Sequence, residues 1–595
     1  MNMNRTFSYA VAGLTVLLSF RGGRAEDFGN RSATIWHYEE WQVDNPSWEG
    51  NAFDVVATVT ATHSGGAQRV FEMFYDGGTT WKFRFTGDIV GDWSLSTSSD
   101  DTDLDGHSAT VSVAAGDADA PGFSTAEGNK YAWQVGNDGD MRAQIRRVYT
   151  DQRAWFWAHE NPSEDLTDYF KPQLDDAIAC GFDAVWMCFR HCWFEWGAWK
   201  GSEHDSEEPD LTVFRMLEKH IQEVHARGLS LDIRMWGDKG HDWSAASLPG
   251  GINGYVDRRL QRYIAARLGA LPGWGLSYAY DLEEFMDNGK CDAWADYLNE
   301  RFAWPHLIWT RRFFDGISVT VASNDDRPGS ADSAYSDARS RLSGSGNRPV
   351  LFERNFNRGR DGVWDDNTTL QSLWAFVMAG GASAHWTSEE YEPEWQNRDQ
   401  LKTHGRFWVD NRRFLLDMEP RNELSGDNTW VLVSESSQSL VAYRRGTSEI
   451  TVDLSGFSPS LPAIAVDTRK SYEEVNFGTV PAENHTFNFE SSSDWAVAVG
   501  DFDLGTGRRE PMDKRVAGTP GNILITEAAG GVRIDGLDGN ADISVFNMAG
   551  RNLMRIRGGS HRGNSTLPRS MIRGAVYLLN IREGGRARTY RICVP

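Results

Sequence analysis

The chain has 595 residues and a mass of 66.7 kDa, room for about four domains at roughly 150 residues each. Its 60 Lys+Arg against 84 Asp+Glu give a net charge of −24, which argues against a phosphate-binding surface and so against nucleic acid as a partner. A hydrophobic share of 40% with 12% aromatics excludes wholesale disorder, and the 25 Trp suit either packed cores or stacking platforms.

The N-terminus carries Asn4-Arg5, an apolar run from Thr6 to Phe20, and the small residues of Gly23-Arg24-Ala25. This pattern predicts a secretory signal peptide over residues 1–25, cut near Ala25, because the run is too short to anchor in a bilayer. No later stretch reaches the ~18 apolar residues of a membrane helix. The expectation is an exported bacterial protein, secreted or at the cell surface, without a membrane span.

Residues 26–116 read as a β-sandwich. Phe53 to Val59 is β-rich, Trp81-Lys82-Phe83-Arg84-Phe85 alternates, Tyr75-Asp76-Gly77-Gly78 signals a hairpin turn, and Asp92 to Ser96 reads as a further strand. Asp117 to Gly128 is small and polar and reads as a linker. Residues 125–410 then alternate between strand and helix: a strand at 181–187, a helix from Leu211 to Arg227 stopped by Gly228, a strand at 229–236, a helix from Val256 to Leu268, and a strand at 275–282. Further segments follow at 316–322, 348–353 and 376–386. The size and alternation predict one (β/α)8 TIM barrel, so the fold class is a central barrel flanked by β-sandwich domains. Residues 411–500 read as a second sandwich, 501–520 as a charged linker with Pro511 and Pro520, and 521–595 as a small C-terminal β domain.

Five cysteines are too few for a disulfide scaffold. Cys188 and Cys192 are close enough to bridge, and equally suited to be buried free thiols. No spacing matches a zinc site, and no dinucleotide fingerprint or phosphate loop interrupts the α/β region, so neither a metal nor an organic cofactor is expected.

Chemistry in such a barrel gathers at the carboxyl ends of the strands. Tyr280-Asp281-Leu282-Glu283-Glu284-Phe285 closes the fourth apparent strand, and Arg348-Pro349-Val350-Leu351-Phe352 runs into Glu353. Two carboxylates on different strands suit glycoside hydrolysis, one protonating the leaving oxygen and the other attacking the anomeric carbon or activating water. Arg190 and His191 follow the second strand, Trp236 and Asp238 the third, His306 and Arg311 flank the fifth, and His385-Trp386 closes the eighth. With Asp281, these are candidates for holding sugar hydroxyls or stacking on rings. Any one of them is also an ordinary core or rim residue.

Several stretches resemble known families. Phe74-Tyr75-Asp76-Gly77, Phe83-Arg84-Phe85 and Gly91-Asp92-Trp93 resemble the N-terminal Ig-like domain that precedes certain secreted glycosidase barrels. Trp236-Gly237-Asp238, Leu248 to Gly254, Tyr280 to Phe285, Pro305-His306-Leu307 and Arg348 to Glu353 resemble the apiosidase-like glycoside hydrolases, within the retaining clan that uses Glu at strands four and seven. Leu440 to Val499, with Val466-Asp467 and Asp494-Trp495, is similar to the β domain named "putative collagen-binding". Met548-Ala549-Gly550-Arg551 and Gly574-Ala575-Val576-Tyr577 resemble a C-terminal secretion-sorting domain.

The resemblance implies a secreted retaining glycosidase of a polysaccharide or oligosaccharide. Glu353 would be the nucleophile and Glu284 the acid/base, partly buried beside it. The clan's usual Asn-Glu is here Glu283-Glu284, which leaves Glu283 open as the acid. The first strand, from Arg146, lacks the Gly-Asp-Thr usual in apiosidase-like enzymes. The competing expectation is a non-catalytic carbohydrate-binding surface protein on a degenerate barrel. The C-terminal domain implies secretion machinery as a partner.

Overall fold

The structure is a computed structural model. It describes residues 25–116, 121–127, 130–135, 140–151, 170–189, 192–194, 199–200, 203–204, 206–237, 244–279, 282–310, 318–324, 329–346, 348–352, 366–388, 398–410, 413–426 and 428–502, together with seven strands between 524 and 594.

The N-terminal region forms two sheets around one core. The larger orders its strands as Asp27–Thr34, Ser108–Ala114, Gly91–Ser99, Ala57–His63 and Gln68–Glu72; the smaller as Tyr38–Asp44, Thr80–Thr86 and Phe74–Gly77. Between them lie Val59, Leu95 and Val111 against Trp41, Trp81, Phe83 and Phe85, with Trp41 stacked on Phe83 at 5.0 Å. The hairpin at Tyr75-Asp76-Gly77-Gly78 forms where its glycines predict it, with φ of 102° and 60°. The β-rich run from Phe53 splits. Ala52–Asp54 is a 3-10 turn capped by the Asn51 side chain, and the strand begins only at Ala57. Phe53 turns away to meet Tyr263 edge-on at 4.9 Å.

Residues 121–127 are not a linker. Pro121–Glu127 is one edge of a three-stranded antiparallel sheet completed by Lys130–Val135 and Asp140–Gln144. The cause is Phe123, which is 1% exposed and stacks on Trp304 at 6.0 Å.

The central region is an all-parallel, eight-stranded sheet: β1 (Arg146–Asp151), β2 (Ala184–Cys188), β3 (Ser230–Arg234), β4 (Trp274–Ser277), β5 (Leu307–Trp309), β6 (Ala322–Asn324), β7 (Val350–Phe352) and β8 (Ser383–Ser388). Their order is β5-β4-β3-β2-β1-β8-β7-β6, so neighbours in sequence are neighbours in space. The sheet is curled, and the segment leading into β6 hydrogen-bonds to β5. The Thr320 and Val321 amides, just before β6, donate to Ile308 O in β5 at 3.0 and 3.1 Å, and Ile308 N donates to Thr320 Oγ1 at 2.7 Å. The connecting helices are α1 (Phe170–Cys180), α2 (Leu211–Ala226), α3 (Tyr255–Leu268), α4 (Asn288–Asn299), α5 (Ala331–Gly344), α6 (Asp366–Met378) and α7 (Arg398–Gly405). The Asp210 side chain caps α2 by accepting from Thr212 N and Val213 N, and Gly228, at φ 74°, follows its end.

The N-terminal sheets are clamped to α2 and α3 by buried charge. Thr80–Thr86 turns Trp81, Phe83 and Phe85 into its own core, so Lys82, Arg84 and Thr86 face the helices. Arg84 donates to Glu218 Oε1 at 2.6 Å and to Arg267 O at 2.9 Å, and pairs with Glu40 at 2.6 Å. Arg267 also pairs with Glu218, and reaches Asp76 at 3.0 Å. Lys82 bridges Asp76 and Glu40 at 2.9 and 3.0 Å. Burial alone would push the Glu218 carboxyl up, but Arg84 and Arg267 overcome it and hold the carboxyl below its ordinary value.

The region after the helices is one six-stranded antiparallel sheet, not two sheets. Its order is Glu419–Pro420, Thr429–Ser434, Ser439–Asp453, Asn484–Val499, Leu461–Asp467, Glu474–Val480. Register shifts at Arg444/Thr447 and Thr447/Glu449 interrupt the long central hairpin. Such bulges bend and twist a strand, which lets a single sheet wrap its own core of Val431, Leu440, Ile450, Val452, Phe487 and Val497. The opposite face, with Leu432, Val441, Tyr443 and Ala496, joins the central core. There Tyr335, Trp430, Tyr443 and Trp374 form a continuous stack, at 4.8, 5.9 and 5.4 Å. Beyond residue 523 lie a three-stranded and a four-stranded antiparallel sheet.

Removing one partner of a buried ion network leaves its opposite charge uncompensated, at about 3–5 kcal/mol. Arg84→Ala and Glu218→Ala are therefore expected to lower the unfolding free energy by about that much in a chaotrope titration. Because the folded Glu218 value is depressed, its contribution is present above about pH 4.3 and is lost as pH falls through the folded value. Glu218→Gln should flatten the acid limb of stability against pH; an unchanged limb would show that the network does not carry it.

Candidate active site

All eight strands of a parallel sheet end on the same side, so the segments that follow them share one face. A single register line crosses it: Cys188 of β2, Arg234 of β3, Ser277 of β4 and Trp309 of β5. Each of these is at most 1% exposed. Side chains alternate along a strand, so Arg234 shares its face with Asp232 and Ser230. Both accept from Arg146 Nη2, Ser230 at 2.6 Å, and this places all three inside the curl. Arg234 lies over the Trp186 ring, 4.6 Å from its centre. Gly275 leaves the room Trp309 uses: a Cβ there would meet Trp309 Cζ3 at 2.8 Å and Leu307 O at 3.0 Å.

The floor of this face is therefore polar, charged and aromatic. Burial opposes the charge of Arg146, but the Asp232 carboxylate more than compensates and raises its pKa. Sequence reasoning missed Arg146, Trp186, Asp232, Arg234 and Trp309. The available signal was the polar alternation of Ser230, Asp232 and Arg234 within an otherwise apolar strand.

The acids of the fourth connection stand above that floor. β3 and β4 remain paired past their ends, with Met235 N donating to Ser277 O at 2.9 Å and Trp236 N to Tyr278 O at 2.8 Å. Tyr278 donates its hydroxyl to Asp257 of α3 at 3.3 Å. Asp257 is fully buried, and burial raises its pKa. The same carboxylate accepts from Asn253 N at 2.8 Å, and the Asn253 side chain reaches Lys290 O of α4 at 2.9 Å. The loop at 248–254 and both helices thus brace the segment between them.

Glu283 and Glu284 lie on a 3-10 turn, Leu282–Glu284, rather than on the strand. On a turn of about three residues, neighbouring side chains do not alternate between two faces as on a strand, and the two carboxylates stand about 120° apart around it. Leu282 is buried and anchors the turn; Glu283 and Glu284 are both exposed, so Glu284 is not partly buried.

Two other candidates are buried and closed to a ligand. His306 precedes β5, at the amino end of the sheet, where its ring nitrogens approach Gly269 O at 2.9 Å and Trp274 O at 3.3 Å. It packs against Trp274 at 4.3 Å, on the side away from the acids. Burial lowers its pKa to about 4, so the neutral ring carries one N–H and donates to one of these two carbonyls. Trp236 is on the expected face but fully buried, stacked on Phe194 at 6.3 Å, and offers no open ring to a ligand.

Glu353, Arg190, His191, Asp238, Asp281 and Arg311 lie outside the described residues. β7 ends at Phe352, immediately before Glu353, and Phe352 pairs with Ala384 of β8. His385 and Trp386 are backbone partners of Val148 and Tyr149. Among the described residues no group of three or more His, Cys, Asp or Glu is arranged to hold a metal ion, and no helix is long and apolar enough to cross a membrane.

Residues 32–100 match the model of a domain of unknown function (DUF5060). No curated protein matches the chain in sequence. Among solved structures, the chain is similar to a "putative glycoside hydrolase" from Bacteroides vulgatus ATCC 8482, with a TM-score of 0.60 at 17% identity over 79% of this chain and 100% of the other. A family 5 glycoside hydrolase from the same organism gives 0.51 at 13% identity, over 65% and 95%. A third structure, described as a glycoside hydrolase, gives 0.50 at 12% identity, over 65% and 98%. The chain thus shares a fold with glycoside hydrolases, an α/β sheet region accompanied by β domains.

Cys188 and Cys192 are buried and unbridged, as is Cys291. All three are expected to resist iodoacetamide in the native protein and to be alkylated after denaturation without reductant, read by peptide mass spectrometry. Recovery of a Cys188–Cys192 disulfide peptide would contradict this.

Proposed function

We propose that the protein is a secreted retaining glycoside hydrolase, apiosidase-like, acting on a polysaccharide or oligosaccharide from a (β/α)8 barrel. The observation that carries the reading is the sequential eight-strand order, with Glu283-Glu284 and Glu353 in the segments that follow β4 and β7. The shared fold with glycoside hydrolases supports it.

In this mechanism the Glu353 carboxylate attacks the anomeric carbon while Glu284, or Glu283, gives its proton to the leaving oxygen. The glycosidic C–O bond breaks and a glycosyl ester forms on Glu353. The same acid residue, now a carboxylate, takes a proton from water, which attacks the anomeric carbon and frees Glu353. Retention requires the two carboxyl groups about 5–5.5 Å apart, and about 6.5–9.5 Å would mean inversion. Arg190, His191, Asp238, Asp281, Arg311, His385 and Trp386 are proposed to line the sugar site, on the buried floor of Arg234, Trp186 and Trp309.

A second reading, a non-catalytic carbohydrate-binding protein, is favoured by one observation: both acids after β4 are exposed on a turn. A panel of plant and algal glycans, assayed for reducing-end release, separates the two. Hydrolysis is expected on at least one glycan, with NMR of the first product showing the original anomeric configuration. Glu353→Gln should abolish turnover. Glu284→Gln should cost about 10²–10⁴-fold; the larger loss at Glu283→Gln would move the acid to Glu283. Binding without any product would support the second reading.

The export signal at 1–25 and a sorting role for 521–595 belong to the same proposal. The stretch from Gly521 to Pro595 contains no Trp, which weighs against a stacking module. A chain truncated after Gly500 is expected to keep hydrolysis and glycan affinity when purified, and to lose normal export or surface attachment in its host. Lost affinity for insoluble glycan with export unchanged would make the C-terminal region a binding module.

A further inference from the structure

Tyr255 is the first residue of α3, the helix entered from the carboxyl end of β3, so it stands on the face that carries Glu283 and Glu284. It is 53% exposed. Its ring is nevertheless held on three sides. The hydroxyl donates to Glu207 Oε1 at 2.6 Å. Gly250, at φ +83°, lies so close that a Cβ there would meet Tyr255 Cδ1 at 3.1 Å. The Arg259 guanidinium carbon lies 5.9 Å from the ring centre.

Those supports are themselves fixed. Arg259 donates to Glu207 O at 2.8 Å, and grips Asp54 of the N-terminal region through two bonds of 2.7 and 2.6 Å. Two residues along α3, Asp257 holds Tyr278 and Asn253, the bracing of the segment that bears the acids. An exposed aromatic ordinarily loses side-chain freedom when it binds a ligand; this ring has lost much of it already, which lowers the cost of stacking. Its surroundings supply hydrogen-bond acceptors at Glu207 for hydroxyl groups. The Glu207 carboxylate and the net charge of −24 repel an acidic chain.

We propose that Tyr255 is the platform of an outlying subsite for a neutral pyranose ring, outside the catalytic floor, so that the preferred substrate is an extended neutral polysaccharide rather than a short or acidic glycan. The catalytic part of this inference rests on the glycosidase reading; the binding part does not.

The test is affinity electrophoresis of the full chain in native gels containing xyloglucan, galactomannan, mixed-linkage glucan or polygalacturonate. Wild type is expected to be retarded by at least one neutral polymer and not by polygalacturonate. Tyr255→Ala should weaken that retardation roughly threefold to tenfold, the scale of one lost aromatic stack. Tyr255→Phe, which keeps the ring, should stay within about twofold of wild type. Should Tyr255→Ala fail to fold, Glu207→Ala releases the ring and should weaken binding roughly twofold to threefold. On a polymer that is hydrolysed, kcat/KM relative to that on its own short oligosaccharide should fall with Tyr255→Ala. Wild-type binding to no neutral polymer, or equal binding by wild type and Tyr255→Ala, overturns the subsite. Hydrolysis with equal binding leaves the glycosidase reading standing; Tyr255-dependent binding with no hydrolysis of any glycan removes that reading and keeps the subsite.

Discussion

The buried charges at Arg84, Glu218 and Arg267 set how residues 25–116 sit on the rest of the molecule. Desolvating a charge is costly, and the cost is met only where opposite charges meet in close geometry. Here three acids, Glu40, Asp76 and Glu218, interleave with three bases, Lys82, Arg84 and Arg267. Hydrophobic contacts alone tolerate sliding. The fork geometry of two guanidinium groups does not, so the N-terminal sheets are held in one orientation against α2 and α3. The same alignment brings Asp54 to Arg259 and Asn51 to Glu208, so the N-terminal region extends to the face where the candidate acids stand.

Much of the central fold was legible because local pattern and tertiary outcome agree. The helices at 211 and 255 begin and end within a residue or two of their apolar periodicity, and Gly228 stops the first as its left-handed φ demands. The strand of Trp81, Phe83 and Phe85 was equally plain. What alternation does not reveal is where the other face goes. Lys82, Arg84 and Thr86 look like a solvated face in the sequence, and Arg84 and Thr86 are 4% and 0% exposed. Short strands were the hardest to place. β6 falls at 322–324, at the end of the expected 316–322, because its pairing with Val350 to Phe352 fixes it, and pairing is a non-local fact.

The candidate site divides in the same way. That Glu283-Glu284 and Glu353 follow strands four and seven could be read from position along the chain, whereas the turn that carries Glu283 and Glu284 comes from the burial of Leu282, which no periodicity announces. Tryptophan content left cores and stacking platforms equally open, and among the described residues fourteen tryptophans are buried, Trp236 and Trp309 among them. Among the described residues, an aromatic ring that does stand open on the acids' face is a tyrosine at a helix start.

Trp304 has a consequence for the order in which the chain can acquire its structure. It belongs to the connection before β5, yet it completes the N-terminal core, touching Phe71, Phe85 and Phe123 and donating to Thr86 O at 2.9 Å. A ribosome delivers residue 86 more than two hundred residues before residue 304. At roughly 5–20 residues per second, the first sheets wait on the order of 10–40 s with that aromatic seat unfilled. During synthesis the N-terminal region is therefore an unfinished body with an apolar opening. The finished molecule seals that opening with Trp304.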